Sequence, residues 1–262
     1  MQKFALEKYG ARIHLFGCDI DNLTASEAVN RVESFIQQGG SHCYFALNVH
    51  KVVAFRSSPE LCQIANRSEL VTADGQPIVW VSKWLGKPIK QRLTGADLMG
   101  HLIQMAAEKQ YRVYLLGGRP EVLQRAVNSY RVRFPRLQIA GYRHGYWADD
   151  EENDIVAAIR DARPDMLFLG MSSPHKELFM DRRLNELQVP FTMGVGGTLD
   201  IVAGVTRRAP LWIQRIGFEW LWRVMQEPRR MFKRYLFDGI RFFYIVIEEV
   251  FIKRSRSSPE SR

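Results

Sequence analysis

Met193–Pro210 reads MGVGGTLDIVAGVTRRAP. It opens on the end of an apolar run, Phe191–Val195, whose aromatic and β-branched residues suit a strand buried in a parallel sheet. Gly194, Gly196 and Gly197 end that run. Glycine tolerates positive φ and has no Cβ, so a ligand can approach backbone N–H groups that a side chain would shield. Thr198 is placed to cap a following helix, whose first N–H groups would face an anion or a nucleotide edge, and Asp200 is placed to accept from a base or ribose. A tight strand-to-helix turn with no ligand explains the same glycines. Neither common phosphate-binding fingerprint is present: G-x-G-x-x-G would need glycine at Leu199, and no G-x-x-x-x-G-K-[ST] occurs.

Outward from this turn, apolar runs alternate with helical patterns. Strands are expected at Cys43–Asn48, Glu69–Ala73, Arg112–Leu116, Leu137–Gly141, Met166–Leu169 and Phe191–Val195. Helices are expected at Lys51–Ala65, Pro77–Leu85, Ala96–Lys109, Glu121–Phe134, Asp150–Ala162 and Lys176–Glu186. Such alternation predicts an α/β fold, a Rossmann-like mostly parallel sheet flanked by helices with right-handed crossovers. Ligands in these sheets gather beyond the carboxyl ends of the strands. Those ends carry Asn48, Asp74, Gly117–Gly118, Tyr146, Ser172–Ser173 and Gly196–Gly197.

At 262 residues and 46% hydrophobic content the chain can build one sizeable core, with or without an appendage. Its three cysteines, Cys18, Cys43 and Cys62, are odd in number and show no C-x-x-C spacing, which fits a reducing compartment and neither a disulfide framework nor a zinc site. No apolar stretch has the length of a membrane span and the start lacks a signal-peptide core, so a cytoplasmic protein is expected. The net charge of +9 is concentrated at one end: residues 207–262 hold 13 Lys/Arg against 6 Asp/Glu. There the cations alternate with Trp212, Trp220, Trp222, Phe232, Tyr235, Phe242 and other aromatics, the pattern of helices lying on an anionic membrane surface. Nucleic acid is the rival partner and is ranked below the membrane; packing of amphipathic helices on the core is the plain alternative. The expected division is an α/β catalytic domain over 1–206, a basic amphipathic helical appendage over 207–252 that associates with the inner face of the cytoplasmic membrane, and a disordered tail over 253–262.

Asp74 is the candidate for the chemistry, a carboxylate between the strand end Val71-Thr72-Ala73 and Gly75, where it could take a hydroxyl proton. An Asx-turn or a helix cap ahead of Pro77 is the competing reading. Asn48 has the same two readings, orienting a sugar hydroxyl or capping a helix. Asp19-Ile20-Asp21 spells D-x-D, but Thr24 and Glu27 form a capping box just beyond it, so a structural role is expected. The six histidines are scattered without i, i+4 pairing, and no metal site is predicted.

The ordered set ADG (Ala73–Gly75), RLTGADL (Arg92–Leu98), LLGGRPEV (Leu115–Val122), Gly145-Tyr146, S-P-x-x-E (Ser173–Glu177), GVGGTLD (Gly194–Asp200), RRAP (Arg207–Pro210) and EWLWR followed by EPRR (Glu219–Arg230) resembles the WecG/TagA/CpsF glycosyltransferases, glycosyltransferase family 26, over nearly the whole chain. The resemblance implies an inverting, metal- and cofactor-independent transfer of a hexose-type sugar from a UDP donor to a polyprenyl-diphosphate-linked saccharide, in cell-surface polysaccharide assembly. It implies Asp74 as catalytic base, Asn48 beside the reacting sugar, Arg92 as a pocket arginine, and Tyr146 and Asp200 at the uridine. It also implies that the C-terminal segment reaches the membrane and completes the site, with Arg223, Arg230 and Lys233 at its cationic positions. Guanidinium groups on a departing diphosphate can replace a divalent ion.

Three positions depart from the family pattern. His175-Lys176-Glu177 stands where most members read K-Q-E, so an amide is replaced by the Lys176 cation, which could meet a diphosphate or a carboxylated sugar. Ala46 stands where some relatives carry threonine, and Lys233 replaces an arginine and loses its planar fork. Against this reading stand a basic protein that binds nucleic acid or membrane without catalysis, and a nucleotide-sugar epimerase, which the missing dinucleotide fingerprint disfavours. The identity of the sugar, the acceptor linkage and the oligomeric state, a homo-oligomer included, stay open.

Overall fold

A computed structural model describes residues 12–257, apart from the side chains of Asp149, Arg230 and residues 251–257. It begins with a hairpin that sequence periodicity did not announce: β1 (Arg12–Leu15) and β2 (Cys18–Asp21) pair antiparallel. The two residues between them, Phe16 and Gly17, both have positive φ, 55° and 75°, the backbone of a tight hairpin turn without its usual Asn-Gly signature. Helix α1 (Ala25–Gln38) follows, opened by the expected capping box in which Thr24 accepts from the Glu27 N–H and Glu27 accepts from that of Thr24.

The six expected strands form one sheet. They are β3 (His42–Leu47), β4 (Leu70–Ala73), β5 (Arg112–Gly117), β6 (Gln138–Arg143), β7 (Met166–Gly170) and β8 (Phe191–Gly194), in the order β4-β3-β8-β7-β5-β6 with every pair parallel. Successive side chains of a strand point to opposite faces, and in β3, β4, β7 and β8 both faces are buried, while the edge strand β6 is not. Tyr44 and Ala46 of β3, with Met166 and Phe168 of β7, pack on one side against α1, α5 (Gly95–Lys109) and α6 (Pro120–Arg133). On the other side Phe45 and Leu47 of β3 meet α2 (Val49–Ala54), α3 (Pro59–Arg67) and α4 (Gln76–Trp84). Leu167 and Leu169 of β7 meet α7 (Glu152–Ala162) and α8 (His175–Leu187) there.

Two local expectations need correction. The single helix expected over Lys51–Ala65 is split between α2 and α3, because Pro59 cannot supply an N–H to a continuing helix and instead opens the second one. Thr198 does not cap α9 (Thr198–Val202); Gly197 holds the cap position and the Thr198 hydroxyl donates back to the Val195 carbonyl at 2.7 Å.

After α9 come α10 (Leu211–Arg215), α11 (Glu219–Gln226) and the 30-residue α12 (Pro228–Ser257). Phe242, Ile245 and Val246 of α12 enter the same cluster as Leu15, Phe16 and Val53, with the Phe16 and Phe242 rings 5.4 Å apart. Asp238 accepts from the His50 ring at 2.7 Å, and Glu248 pairs with Arg56. The opposite face, with Phe232, Leu236, Ile240, Phe243 and Tyr244, is exposed and forms with Trp220 an apolar groove of about 470 Å³. No described helix is long and apolar enough to cross a membrane. Of the tail expected to be disordered, 258–262 lie outside the described residues, while α12 runs as far as Ser257.

Candidate active site

Because all six strands are parallel, their carboxyl ends share one rim, and the order β4-β3-β8 puts Asp74, Asn48 and the Gly194–Asp200 turn on three adjacent strands. At roughly 4.8 Å per strand spacing, Asp74 and that turn are about 10 Å apart along the rim.

At the Asp74 end the geometry separates the two roles open to each side chain. Gly75, not Asp74, occupies the cap position of α4, so the carboxylate is not spent on a helix end. The Asp74 N–H donates to the Leu47 carbonyl at 2.8 Å, which fixes its backbone beside β3. Asn48 does cap: its Oδ1 accepts from the Lys51 N–H at 3.1 Å. That bond turns its amide nitrogen toward Asp74, where Nδ2 donates to Oδ2 at 3.3 Å. One Asp74 oxygen is thereby oriented, and among the described residues no other side-chain hydrogen bond engages the carboxylate.

Arg92 joins them from the next loop, since the Leu93 N–H donates to the Ala73 carbonyl at 3.0 Å. Its guanidinium pairs at 3.2 Å with Glu219, the first residue of α11. Glu219 also meets Arg208 at 3.5 Å, and Arg208 pairs with Asp97 at 2.5 Å. A chain of alternating charges therefore ties the rim to the appendage. Arg223 lies one turn beyond Glu219 on the same face of α11 and is exposed, as is Lys233 on α12. Among the described residues neither forms an ion pair with the rim, and the side chain of Arg230 lies outside the described residues.

The Gly194–Gly197 turn is less open than its sequence implies. The Val195 and Gly196 N–H groups both donate to the Leu169 carbonyl, at 2.9 and 3.3 Å, and that of Thr198 donates to Val195 at 3.2 Å. The space over Gly194 is filled by the stem of Lys176: a Cβ there would lie 2.8 Å from the lysine Cδ. The absent side chain thus makes room for a lysine. Lys176 Nζ stands 3.2 Å from Glu177 Oε1, and Lys51 Nζ stands 2.7 Å from the same oxygen. Burial alone would push the Glu177 carboxyl up, but the two ammoniums more than reverse this and hold it at about 2.

Asp200, half-buried on α9, and Tyr146 mark the other end of the rim. Leu199 packs toward Gly118 and Gly170, and the Gly145 N–H donates to the Gly118 carbonyl at 2.9 Å, folding the loop so that Tyr146, 65% exposed, follows directly on the Gly117–Gly118 turn contact.

The D-x-D tripeptide is structural at its second carboxylate. Asp21 is buried and accepts from Arg12 at 3.1 Å, Arg31 at 2.5 Å and the Val71 N–H at 2.8 Å, which leaves it no open face for a cation.

Sequence reading missed four members of this site. Glu177, Arg208 and Glu219 each stand inside a recognised motif, but Lys51, Asp97 and Arg92 pair with them from segments far away in the chain. Lys51 carries no sequence signal at all, being one lysine in an amphipathic helix.

Comparison with known proteins bears on what such a rim does. The model of the glycosyl transferase WecG/TagA/CpsF family matches residues 13–256. Two N-acetylglucosaminyldiphosphoundecaprenol N-acetyl-beta-D-mannosaminyltransferases of Staphylococcus aureus, from strains MW2 and NCTC 8325, are each 28% identical over 223 residues, covering 84% of this chain and 87% of theirs. The corresponding protein of strain MRSA252 matches with the same identity and coverage.

Proposed function

The chain belongs to the WecG/TagA/CpsF family of glycosyltransferases, and on that premise we propose that it moves a hexose-type sugar from a UDP donor to a polyprenyl-diphosphate-linked saccharide, with inversion and without a metal. Family membership sets aside the noncatalytic reading and the epimerase reading. The Staphylococcus aureus relatives are named as N-acetylmannosaminyltransferases acting on N-acetylglucosaminyldiphosphoundecaprenol, which favours a lipid-diphosphate acceptor here as well.

The observation that carries the mechanism is the Asn48–Asp74 pair, held two strands from the Gly194–Asp200 turn. In the proposed single displacement, Asp74 removes the proton of the acceptor hydroxyl while that oxygen attacks the anomeric carbon of the donor. The bond from that carbon to the UDP oxygen breaks on the opposite face, so the configuration inverts. Asn48 keeps the carboxylate turned toward the acceptor. Tyr146 and Asp200 take the uridine, with Gly196 and Gly197 beneath the donor and Gly194 making room for Lys176 rather than for the ligand. UDP departs with negative charge, and Arg92, Arg223, Arg230 and Lys233 are the cations assigned to it.

Arg223 and Lys233 are exposed in this arrangement, so the reading includes a closure of α11 and α12 over the bound donor. The exposed apolar face of α12 and its flanking cations fit a peripheral position on the cytoplasmic membrane surface, where the acceptor resides.

The test is transfer by the full chain from a panel of UDP-sugars to a short polyprenyl-diphosphate glycolipid, with the anomeric configuration of the product read by NMR. The reading expects one donor to be used, an inverted linkage, and turnover unchanged by EDTA. Retention of configuration, or EDTA inhibition reversed by manganese or magnesium, overturns it.

A further inference from the structure

Two lysines share one buried carboxylate beneath the Gly194 turn. The Lys51 ammonium is enclosed, 2.7 Å from Glu177 Oε1, 3.9 Å from the centre of the Phe45 ring and 4% exposed. The Lys176 ammonium reaches the same oxygen at 3.2 Å, its side chain is 11% exposed, its stem crosses Gly194, and its Nζ lies 3.8 Å from where a Cβ on Gly196 would stand. An ammonium carries three donors. Among the described residues, Glu177 is the single carboxylate within ion-pair distance of Lys176. Burial pushes the Lys51 ammonium below its ordinary value, against the pull of Glu177 and, at longer range and without contact, of Asp74.

Two cations on one carboxylate, largely removed from water, are costly unless a further anion completes the group. Of the two lysine side chains Lys176 is the more exposed, 11% against 4%, and it lies against the Gly194–Gly196 turn, so a further anion meets the group at Lys176. A glutamine at this position could both donate and accept, and so meet a neutral hydroxyl or amide in either sense. An ammonium only donates, and it favours a partner that only accepts and carries charge.

We propose that Lys176 is the anion-reading residue of the donor pocket: its ammonium takes an anionic oxygen of the bound donor, either from the diphosphate or from a carboxylate on the transferred sugar. Glu177 and Lys51 are positioning residues in this arrangement. Their ion pair holds Glu177 ionised and fixed, and Glu177 in turn holds Lys176 across Gly194 rather than out in solvent. The proposal rests on the UDP-donor reading above and narrows it to the class of group that the pocket selects.

The experiment is calorimetric titration of the full chain, Lys176→Gln and Lys176→Arg with uridine, UDP, a neutral UDP-hexose and the corresponding UDP-hexuronate. Comparisons within each protein remove any difference in the active fraction. Lys176→Gln is expected to leave uridine affinity unchanged and to shrink at least one of two preferences by about tenfold or more. Loss of the preference for UDP over uridine assigns the diphosphate; loss of the preference for hexuronate over hexose assigns the sugar carboxylate. Lys176→Arg, which keeps the charge, is expected to retain part of that preference.

Unchanged preferences in Lys176→Gln overturn the proposal and leave the UDP-donor reading standing. A uniform loss of affinity, uridine included, also overturns it, because a merely structural lysine would act that way. A wild-type chain that binds none of the four ligands overturns both readings together.

Discussion

Asn48 spends its two amide atoms on different tasks, and that division gives the site its first testable property. Oδ1 caps α2 and Nδ2 steadies Asp74, so Asn48→Ala removes a cap, at a cost of about 1 kcal/mol, and frees the carboxylate to rotate. The expected result in steady-state kinetics is a fall in kcat of about tenfold with UDP affinity unchanged; a loss confined to UDP affinity would contradict the assignment. Glu177 makes a prediction about acid stability. Its carboxyl is held at about 2, below its ordinary value of 4.5, so its ion pairs stabilise the fold fully above about 4.5, and that contribution is lost as pH falls through 2. Glu177→Gln, which leaves two buried ammoniums without a counter-charge, should cost about 3 kcal/mol at pH 7 in urea unfolding and flatten the decline between pH 4.5 and 2. An unchanged acid profile would remove Glu177 from the charge group. The importance of Glu177 was half legible in the sequence. Its motif was recognised, but the second lysine is 126 positions away in the chain, and no local pattern links the two.

At the scale of elements, the appendage is attached by a few contacts that can be cut separately. Phe242, Ile245 and Val246 bury against the hairpin and α2, and Glu219 bonds Arg92 and Arg208. Phe242→Ala should speed proteolytic cleavage within α12 severalfold while the melting temperature of the sheet changes little, since the lost contact lies at one edge of the core. Cleavage at the wild-type rate would mean that α12 is held by other contacts. The same helices show why some elements could be read in the chain and others could not. The central strands were legible because β3 and β7 are apolar on both faces. The hairpin was not, because Phe16–Gly17 reaches positive φ with a buried aromatic residue in place of a turn-forming one. The break at Pro59 was not read from the sequence, because apolar periodicity runs past it from Lys51 to Ala65. The charge pattern of residues 207–262 suggested a membrane-facing appendage; the structure adds that one face of α12 is already occupied by the core.

Over the whole molecule, parallel topology is what gathers residues spread across most of the chain onto one rim, and it also leaves the basic helices on the flank that carries α2. If the exposed aromatic face of α12 and its cations lie on lipid, binding to vesicles with anionic headgroups should weaken as salt rises and be slight for neutral vesicles, by flotation assay. Equal binding to both would leave the charge concentration without that role. The rim itself was largely legible, because a parallel sheet requires its strand ends to converge. The pairing of Arg92 with Glu219 was not, since it depends on how α11 folds back. In the proposed mechanism Asp74 is the base within a pocket that also holds the uridine. The most direct measurement is therefore kcat of Asp74→Asn beside its UDP affinity: kcat is predicted to fall about 10²-fold or more with UDP affinity unchanged, and near-normal turnover would contradict the account.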